Sequence, residues 1–316
     1  MALNYAQVWT PDLLEIMEQE SLTSPFVTTA VKWLSAKTFH FTQMSTSGYK
    51  AHSRLGGWNK GTFAQTDVPF TLTHDRDISF LVDKINVDET NETASIKNIS
   101  EVFHKTQQIP EMDAYFYSKV ATEAQKLTGY HSSTALSSYT KENVYGKLKA
   151  MLSAGKLRRY VAKGALIAYV NSTIMDLLEQ STDFTRKIEM TQIAEGGIGI
   201  ETRITDIDGV TLIEVIDDER FYDKFDFTDG FVPVASTSHK INVLIASPLT
   251  VKTVPKIASI YYFNPGQHTE GDGYLYQDRS LSDTFVFPNG KDNKIDSIYV
   301  DVDTETYTAE QEVLNG

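Results

Sequence analysis

Apolar and polar residues alternate over residues 67–83, which is the pattern of a β-strand with one buried face. The apolar positions that share this face are Phe70, Leu72, Ile78, Phe80 and Val82. The Asp-Glu-Thr-Asn stretch at 88–91 then offers short polar side chains and carboxylates. Such groups accept hydrogen bonds from the free amides of a helix start and suit its positive end. We therefore predict one long strand, an acidic turn and then a helix.

Beyond this turn the apolar spacing changes to three and four residues, which predicts helices. Ile99 and Phe103 belong to the stripe of a first segment. Pro110 suits the start of a second segment, because the N–H that it lacks is not needed there. The second stripe consists of Met112, Phe116, Val120 and Leu127. Together they predict a stiff helical spine behind the strand, with a core that includes Phe80, Ile99, Phe103 and Phe116.

Residues 39–70 contain few core residues and place three glycines around Trp58, which predicts a long two-stranded loop. A loop of about thirty residues is uncommon in a compact domain and is usually functional. A lone hairpin is also marginally stable in water and needs a partner surface. Two interpretations stay open: a flexible surface hairpin, or a loop that lies across a neighbouring subunit. In the second, Arg54, Trp58 and Lys60 are candidate contact residues.

The first 38 residues have the pattern of an arm. A short amphipathic helix follows Pro11, and its few apolar residues are too few to make a core of their own. We expect this helix to pack on its own subunit or on a neighbour, and both readings stay open.

Residues 136–239 have the pattern of a separate α/β unit. The wholly apolar run 165–170 is typical of a strand that is covered on both faces, and Asn171 or Ser172 can cap the helix that follows. Two further strands are predicted over 198–204 and 210–216. Strand patterns return over 240–304, the last of them at 298–300, and the acidic, polar end from Asp301 to Gly316 is expected to be a loosely held tail.

The composition limits the function classes. The chain has 316 residues, a net charge of −13 and no cysteine. The negative charge argues against a tight nucleic-acid binder, because phosphate binding depends on clustered Lys and Arg. The lack of cysteine excludes disulfides and thiolate metal sites. No apolar run approaches the roughly 20 residues that a membrane helix needs, so we expect no membrane contact.

Two segments of the α/β unit have opposite charge. Residues 141–163 hold seven basic residues and one acidic residue, whereas 201–229 hold ten acidic and three basic ones. Such patches can pair between identical neighbours in a ring. The candidate contacts are Arg158, Arg159, Asp217 and Asp218. The alternative is that both segments are solvated faces.

A search for catalytic motifs finds none. The seven histidines are scattered, without the i, i+4 pair of a helical zinc site. The Asp-Ile-Asp-Gly stretch at 206–209 is a turn, because aligning its glycine with a calcium loop places Ile204 and Val215 at ligand positions. Phosphate-cradling and nucleophile-elbow motifs are also missing. We predict a protein that is not an enzyme and that uses no metal or cofactor.

One combination of motifs resembles the major capsid proteins of tailed phages, notably siphophages of Gram-positive hosts. The residues that make the resemblance are Thr71-Leu72-Thr73-x-Asp75-Arg76-x-x-Ser79-Phe80-x-Val82-Asp83, then Asp88-Glu89-Thr90, then Ile109-Pro110-Glu111-x-Asp113-Ala114-Tyr115. The order of parts agrees over nearly the whole chain.

The resemblance implies an α+β, Hong Kong 97-like capsid fold with a spine helix. Its parts are a 1–38 N-terminal arm, a 39–70 extended loop, a peripheral domain from 71–135 and 240–304, a 136–239 axial domain and a 305–316 tail. It further implies a shell protein that assembles with itself into hexamers and pentamers around double-stranded DNA, without sequence-specific binding.

The resemblance also implies assembly in the host cytoplasm, a final place in the virion, and portal and head-completion proteins as partners. Since no long N-terminal segment is present that could act as a built-in scaffold, a separate scaffolding protein or a different assembly cue is expected. Two alternatives stay open. One is an encapsulin-type compartment shell of the same fold, and the other is a carbohydrate-binding or carbohydrate-cleaving protein.

Overall fold

The structure is a computed structural model that describes residues 19–29, 33, 35, 37–52, 54, 56, 58–84, 96–161, 165–181, 188–191, 202–289 and 294–308. Among the described residues, no helix is both long and apolar enough to cross a lipid bilayer.

The predicted two-stranded loop is an antiparallel hairpin. Strand β1 (Thr38–Thr46) pairs with β2 (Phe63–Thr71) in unbroken register along their whole length. The prediction of one strand over 67–83 is wrong, because the chain turns at Leu72 and continues as β3 (His74–Asp83) in another sheet. The backbone N–H of Leu72 donates to Lys37 O, and that of Thr73 donates to the Asp283 carboxylate, so the ladder ends there.

The predicted spine is one helical run with a wider turn inside it. Helix α1 (Ile96–Phe103) continues through a π-helical turn (His104–Gln108) into α2 (Ile109–Gln125). Pro110 lies in the first turn of α2, as predicted. Phe116 is buried, but Met112 is exposed, so its place in the apolar stripe was wrong. The buried side takes in Asp113 instead, whose carboxylate is hydrogen-bonded.

The spine packs on a three-stranded antiparallel sheet. Strands β12 (Val251–Phe263) and β13 (Gly273–Val286) form a long hairpin, and β3 pairs with the outer side of β13. Phe80 faces the spine and lies 5.5 Å from Phe103, ring centroid to ring centroid. Phe80, Ile99 and Phe103 are half-buried, whereas Val82 on the same face is buried.

A mixed sheet of seven strands forms the centre of the molecule, in the order β4-β14-β11-β5-β8-β7-β6. Its strands are β4 (His131–Ser133), β5 (Ile167–Asn171), β6 (Ile188–Thr191), β7 (Thr202–Ile207), β8 (Val210–Val215), β11 (His239–Ala246) and β14 (Ile298–Thr306). Residues 136–239 therefore do not complete a sheet by themselves. Strand β11 lies inside it because its side chains from Ile241 to Ala246 are buried on both faces.

Helices cover both faces of this sheet. On one face α2 packs through Phe116, Tyr117 and Val120 against Leu244 and Val300. The other face is covered by α3 (Val144–Leu152) and α5 (Ser172–Glu179), with α4 (Arg158–Val161) nearby in sequence. The predicted cap is present, since the Asn171 side chain accepts a hydrogen bond from Thr173 N.

Two short strands and the last described residues complete the fold. Strands β9 (Phe225–Asp226) and β10 (Val232–Pro233) pair with each other. The expectation of a loose tail from Asp301 is wrong at its start, because β14 runs to Thr306, Asp301 is fully buried and Tyr307 is buried as well. Ser236 N also donates to Tyr307 O. Residues 309–316 lie outside the described part of the chain.

Candidate intersubunit surfaces

The root of the β1–β2 hairpin is fixed by a cluster of aromatic rings. Phe39 is fully buried and lies 5.3 Å from Phe285, centroid to centroid. Phe70 lies 5.0 Å from Phe287 in an edge-to-face arrangement. Such pairs add about 0.5–1.5 kcal/mol each beyond the area that they bury. The hairpin therefore projects from a rigid base.

The tip of the hairpin, residues 47–62, is exposed at every position that the structure describes. The side chains of Tyr49 and Trp58 are 109% and 94% exposed, and Lys50, Arg54 and Lys60 are exposed beside them. Both rings are large apolar groups that are exposed to solvent, and such exposure is typical of an interaction surface. The structure thus brings the sequence-predicted residues Arg54, Trp58 and Lys60 to one end of a projecting arm.

The described part of residues 1–38 packs on the rest of its own chain. Leu22 and Phe26 are buried in the central core, and Phe26 lies 4.7 Å from Phe116, centroid to centroid. The Gln19 side chain binds the backbone after β8: its Nε2 donates to Glu214 O and its Oε1 accepts from Ile216 N. Residues 19–27 therefore pack on their own chain. The helix predicted after Pro11 lies outside the described residues.

A buried ion pair joins this segment to the spine, and sequence reasoning missed its function. Asp113 on α2 is fully buried and accepts hydrogen bonds from Ser21 Oγ, Leu22 N and Thr23 Oγ1. Arg220 Nη1 lies 3.2 Å from the same carboxylate. The only sequence signal was that Asp113 stands inside the quoted Ile109–Tyr115 motif.

The oppositely charged segments meet inside one subunit. Asp208 lies 3.3 Å from Lys149 and 4.0 Å from Arg158, measured between charged atoms. Arg159 pairs with Asp296 at 3.6 Å. The structure does not bring the four candidate residues together: Asp217 pairs with Arg220, and Asp218 pairs with Lys240. Pairing of Arg158, Arg159, Asp217 and Asp218 between subunits stays a prediction.

A groove of about 630 Å³ runs between β3, the spine near the π-helical turn, and the loop at 228–230. Inside it, Arg76 Nε lies 2.6 Å from Glu111 Oε1, so this carboxylate is neutralised. Next to it, an apolar pocket of about 330 Å³ includes Ile99 and Val102 and shares Phe80 and Phe103 with the groove. The half-buried spine residues thus line an open surface.

A ring of hydrogen bonds fixes the π-helical turn at this groove. Gln108 Nε2 donates to Asp278 Oδ2 at 3.3 Å, and Tyr276 Oη donates to the same oxygen at 3.2 Å. His104 closes the ring by bonding both Tyr276 and Gln108. Burial and the nearby Asp278 raise the pKa of Tyr276 well above its usual range, so its hydroxyl stays a donor.

The described residues offer no group of three or more side chains that could hold a metal ion. The described surfaces can make contacts with other molecules through two features, the exposed aromatic and basic tip and the open groove. Both features are held in place by the core.

Comparison with solved structures gives matches over nearly the full chain. A chain titled as the asymmetric unit of the bacteriophage PhiM1 mature capsid matches with a TM-score of 0.63 and 12% identity, covering 95% of this chain and 92% of that one. The chain has the Hong Kong 97-like capsid fold. The capsid structure of Cyanophage P-SCSP1u matches this fold with a TM-score of 0.60 and 10% identity, covering 96% and 94%.

A third structure, from Mycobacterium phage Bobi, matches the capsid fold with a TM-score of 0.56 and 11% identity, covering 95% and 96%. Searches against protein-family models and curated proteins gave no match. At these identities the likeness concerns the capsid fold, which is conserved in shape although few residues are shared.

Proposed function

We propose that this chain is the major capsid protein of a tailed phage, which self-assembles into the icosahedral head shell around the genome. The observation that supports this most directly is the match in fold, at nearly full length of both chains, to a structure titled as a mature capsid. A shell subunit also needs contacts that form in slightly different geometries at five-fold and six-fold positions. A projecting hairpin on a rigid root supplies such a contact, because strain falls on the part with few buried contacts.

The parts of the fold are assigned on the same basis. We assign residues 1–38 to the arm, 39–70 to the extended loop, 71–135 with 240–304 to the peripheral domain, 136–239 to the axial domain and 305–316 to the tail. In this assignment the seven-stranded sheet belongs to both domains, since β11 and β14 pair beside β5. A sheet shared in this way would keep the two domains in one orientation.

The partners follow from the function. The subunit would form hexamers and pentamers with itself, and would use a separate scaffolding protein, a portal and head-completion proteins. It would enclose double-stranded DNA without sequence-specific binding, because a net charge of −13 makes the wall repel phosphate. The role is structural and needs no catalysis or cofactor. The assembled protein would belong to the virion, after synthesis and assembly in the host cytoplasm.

Negative-stain microscopy of the purified protein tests this function. We expect closed shells of uniform diameter, from the chain alone or with the phage's scaffolding protein. A monomer under both conditions would contradict the proposal. Particles that hold a cargo enzyme instead of DNA would favour the compartment shell, and a monomer with saturable sugar binding would favour the carbohydrate protein. No observation on the described residues favours either alternative.

A further inference from the structure

The spine widens at the π-helical turn His104–Gln108, where Ile109 N donates to His104 O, five residues back. Such turns are rare inside helices and occur frequently at functional sites. None of the five residues of this turn is buried, so apolar packing does not hold it in place. The contacts that join the turn to the rest of the molecule include the hydrogen-bond ring with Tyr276 and Asp278 of β13.

The hydrogen atoms of this ring can be counted from its chemistry. An ionised carboxylate only accepts, so the Tyr276 hydroxyl and Gln108 Nε2 both donate to Asp278 Oδ2. Gln108 Oε1 is then the amide atom that faces His104 Nδ1, and an amide oxygen only accepts. The single hydrogen of the Tyr276 hydroxyl points to Asp278, so its oxygen accepts from His104 Nε2 at 3.1 Å. Both ring nitrogens of His104 are therefore donors, which is the pattern of an imidazolium.

Asp278 supplies the negative charge that an imidazolium at this place needs. Its carboxylate is buried, and no salt bridge between described residues includes it. The cations nearby are already paired, Lys105 with Glu101, Arg76 with Glu111 and Arg279 with Asp75. A buried carboxylate without a cation is costly. A proton on His104 supplies the missing positive charge, one bridging side chain away on either side of the ring.

The tyrosines around His104 do not supply this proton. Burial and the nearby Asp278 raise the pKa of Tyr276, so its hydroxyl keeps its hydrogen. On β12, Tyr262 packs edge-to-face on Tyr276 at 5.4 Å, centroid to centroid, and its hydroxyl contacts Ser100 Oγ on the spine. On β3 the nearest ring to Tyr276 is the apolar Phe80, at 6.1 Å. The group of the ring that can change its charge near neutral pH is therefore His104.

We propose that His104 is an imidazolium and that its proton holds the π-helical turn on β13, so that the spine contains a pH-dependent latch. The latch is the closed ring of His104, Gln108, Tyr276 and Asp278. Loss of the proton leaves one nitrogen of His104 facing an acceptor without a hydrogen, and the ring opens there. Because the closed ring needs the protonated form, its stabilisation is present at lower pH and is lost as the pH rises through the range in which histidine titrates. This inference goes beyond the proposed shell function and does not depend on it.

Hydrogen–deuterium exchange of the full chain, read by mass spectrometry, tests the latch at the turn itself. The measured quantity is the protection factor of the backbone amides of residues 105–112 at about pH 6 and about pH 8.5, which lie on the two sides of the usual histidine titration. Each value is corrected for the intrinsic exchange rate at its pH. We expect the protection factor to fall about tenfold, because a lost charge-assisted hydrogen bond changes a local opening equilibrium by about that factor. An equal protection factor at both pH values would overturn the proposal.

His104→Gln separates the proton from the size of the side chain. An amide donates from one end only, so it cannot close the ring. The protection factor of residues 105–112 should then be low and equal at both pH values. Asp278→Asn removes the balancing charge and should abolish the pH dependence as well. If His104→Gln folds and keeps the fall of the wild type, the proposal is wrong. If a variant does not fold, the two measurements on the wild type still decide it.

The matched control is His74→Gln. His74 is a second histidine that faces the spine at the groove, where its Nε2 lies 3.5 Å from Glu111 Oε1 and its ring stacks on Tyr115 at 3.9 Å. Its titration can also change contacts of the spine, but it takes no part in the ring. His74→Gln should therefore keep the tenfold fall between the two pH values. Loss of the fall in His74→Gln together with its survival in His104→Gln would assign the pH dependence to the wrong histidine and overturn the proposal.

Discussion

At the scale of single residues, the Asp113–Arg220 pair determines how the arm is held. Arg220 is 1% exposed, and besides Asp113 its guanidinium donates to Gln19 O. Residues 19 and 21–23 therefore supply several of the hydrogen bonds that compensate two buried charges. If this segment leaves, the carboxylate and the guanidinium lose partners that water must replace. Docking of residues 19–23 and completion of the hydrogen bonds to the Asp113–Arg220 pair therefore occur together.

Substitution of one partner should be far more damaging than loss of a surface pair. Arg220→Met leaves the Asp113 carboxylate buried without its cation, and should lower the free energy of unfolding by about 3–5 kcal/mol. Lys240→Met removes the cation from the partly exposed Asp218, and should cost at most about 1 kcal/mol. Urea unfolding of both variants checks this. Equal losses would mean that Asp113 is not the acceptor that matters.

Asp75 provides a pH test at the same scale. Hydrogen bonds from Arg279 and Lys37 hold the pKa of this carboxyl at about 2, below its ordinary value of 3.8. Because the folded-state pKa is the lower one, the stabilisation is complete above about pH 4 and is lost as the pH falls through about 2. Asp75→Asn should therefore lower the urea midpoint at neutral pH and make little difference near pH 2.

Asp272→Asn is the control for this pH series, since Asp272 is exposed and forms no salt bridge with a described residue. A loss of stability by Asp75→Asn that is equal at both pH values would show that the contacts of Asp75, and not its charge, are responsible. Asp75 and the two cations that contact it lie near the surface. The loss of unfolding free energy for Asp75→Asn should therefore be smaller than that for Arg220→Met.

At the scale of elements, the hairpin consists of two parts with separate functions. Its root is in the core cluster of Phe39, Leu72 and Phe287, while its tip is exposed at every described position. Of these two parts, only the root should contribute to the free energy of unfolding of the subunit. Assembly should depend on the tip.

Replacement of residues 48–61 with Asn-Gly, which forms the tight turn that suits a two-residue hairpin, should separate these functions. We expect an unchanged circular dichroism spectrum and melting temperature, because the ladder between β1 and β2 is retained. Stable shells should no longer form in sedimentation experiments. The hairpin would be dispensable if shells of normal stability appeared.

The local patterns of the chain predicted its elements better than their partners. Alternation at Ile78, Phe80 and Val82 correctly predicted a strand with one buried side, and Pro110 correctly marked the first turn of α2. The break at Leu72 was not visible, because Leu72 is apolar in phase with both strands and the break depends on the distant Asp283. Local periodicity does not contain that contact.

The candidate site shows the same limit. The glycines around Trp58 predicted the exposed hairpin, but the groove needs β3, the spine and the loop at 228–230 together. Likewise, Arg220 stands among acidic residues in the sequence, and nothing local pairs it with Asp113. The α/β unit was predicted as separate because an apolar strand such as β5 does not specify its neighbours.

At the scale of the whole molecule, charge should govern the rate of assembly. Partly exposed ion pairs between subunits weaken when the Debye length falls from about 10 Å at 0.1 M salt to about 3 Å at 1 M. Shell formation followed by light scattering should slow over this range. Reversal of Arg158 and Arg159 to Glu should also slow it if these residues face a neighbour.

Asp208 and Asp296 already pair with Arg158 and Arg159 within the subunit, so the melting temperature of this variant is the control. A slow but stably folded variant supports an intersubunit function for the basic segment. Normal assembly at every salt concentration would mean that both charged segments are solvated faces.

The strand order of the central sheet has a consequence for synthesis on the ribosome. Strand β5 ends at residue 171, but its neighbour β11 and the next strand β14 are made only when translation reaches residues 246 and 306. At about 5–20 residues per second, roughly 7–27 s pass between synthesis of the end of β5 and synthesis of the end of β14. For the first part of this time, β5 has no β11 with which to pair. The unpaired strand must therefore be kept from associating with other nascent copies on the same messenger RNA. The high local concentration that later favours shell assembly also favours this association.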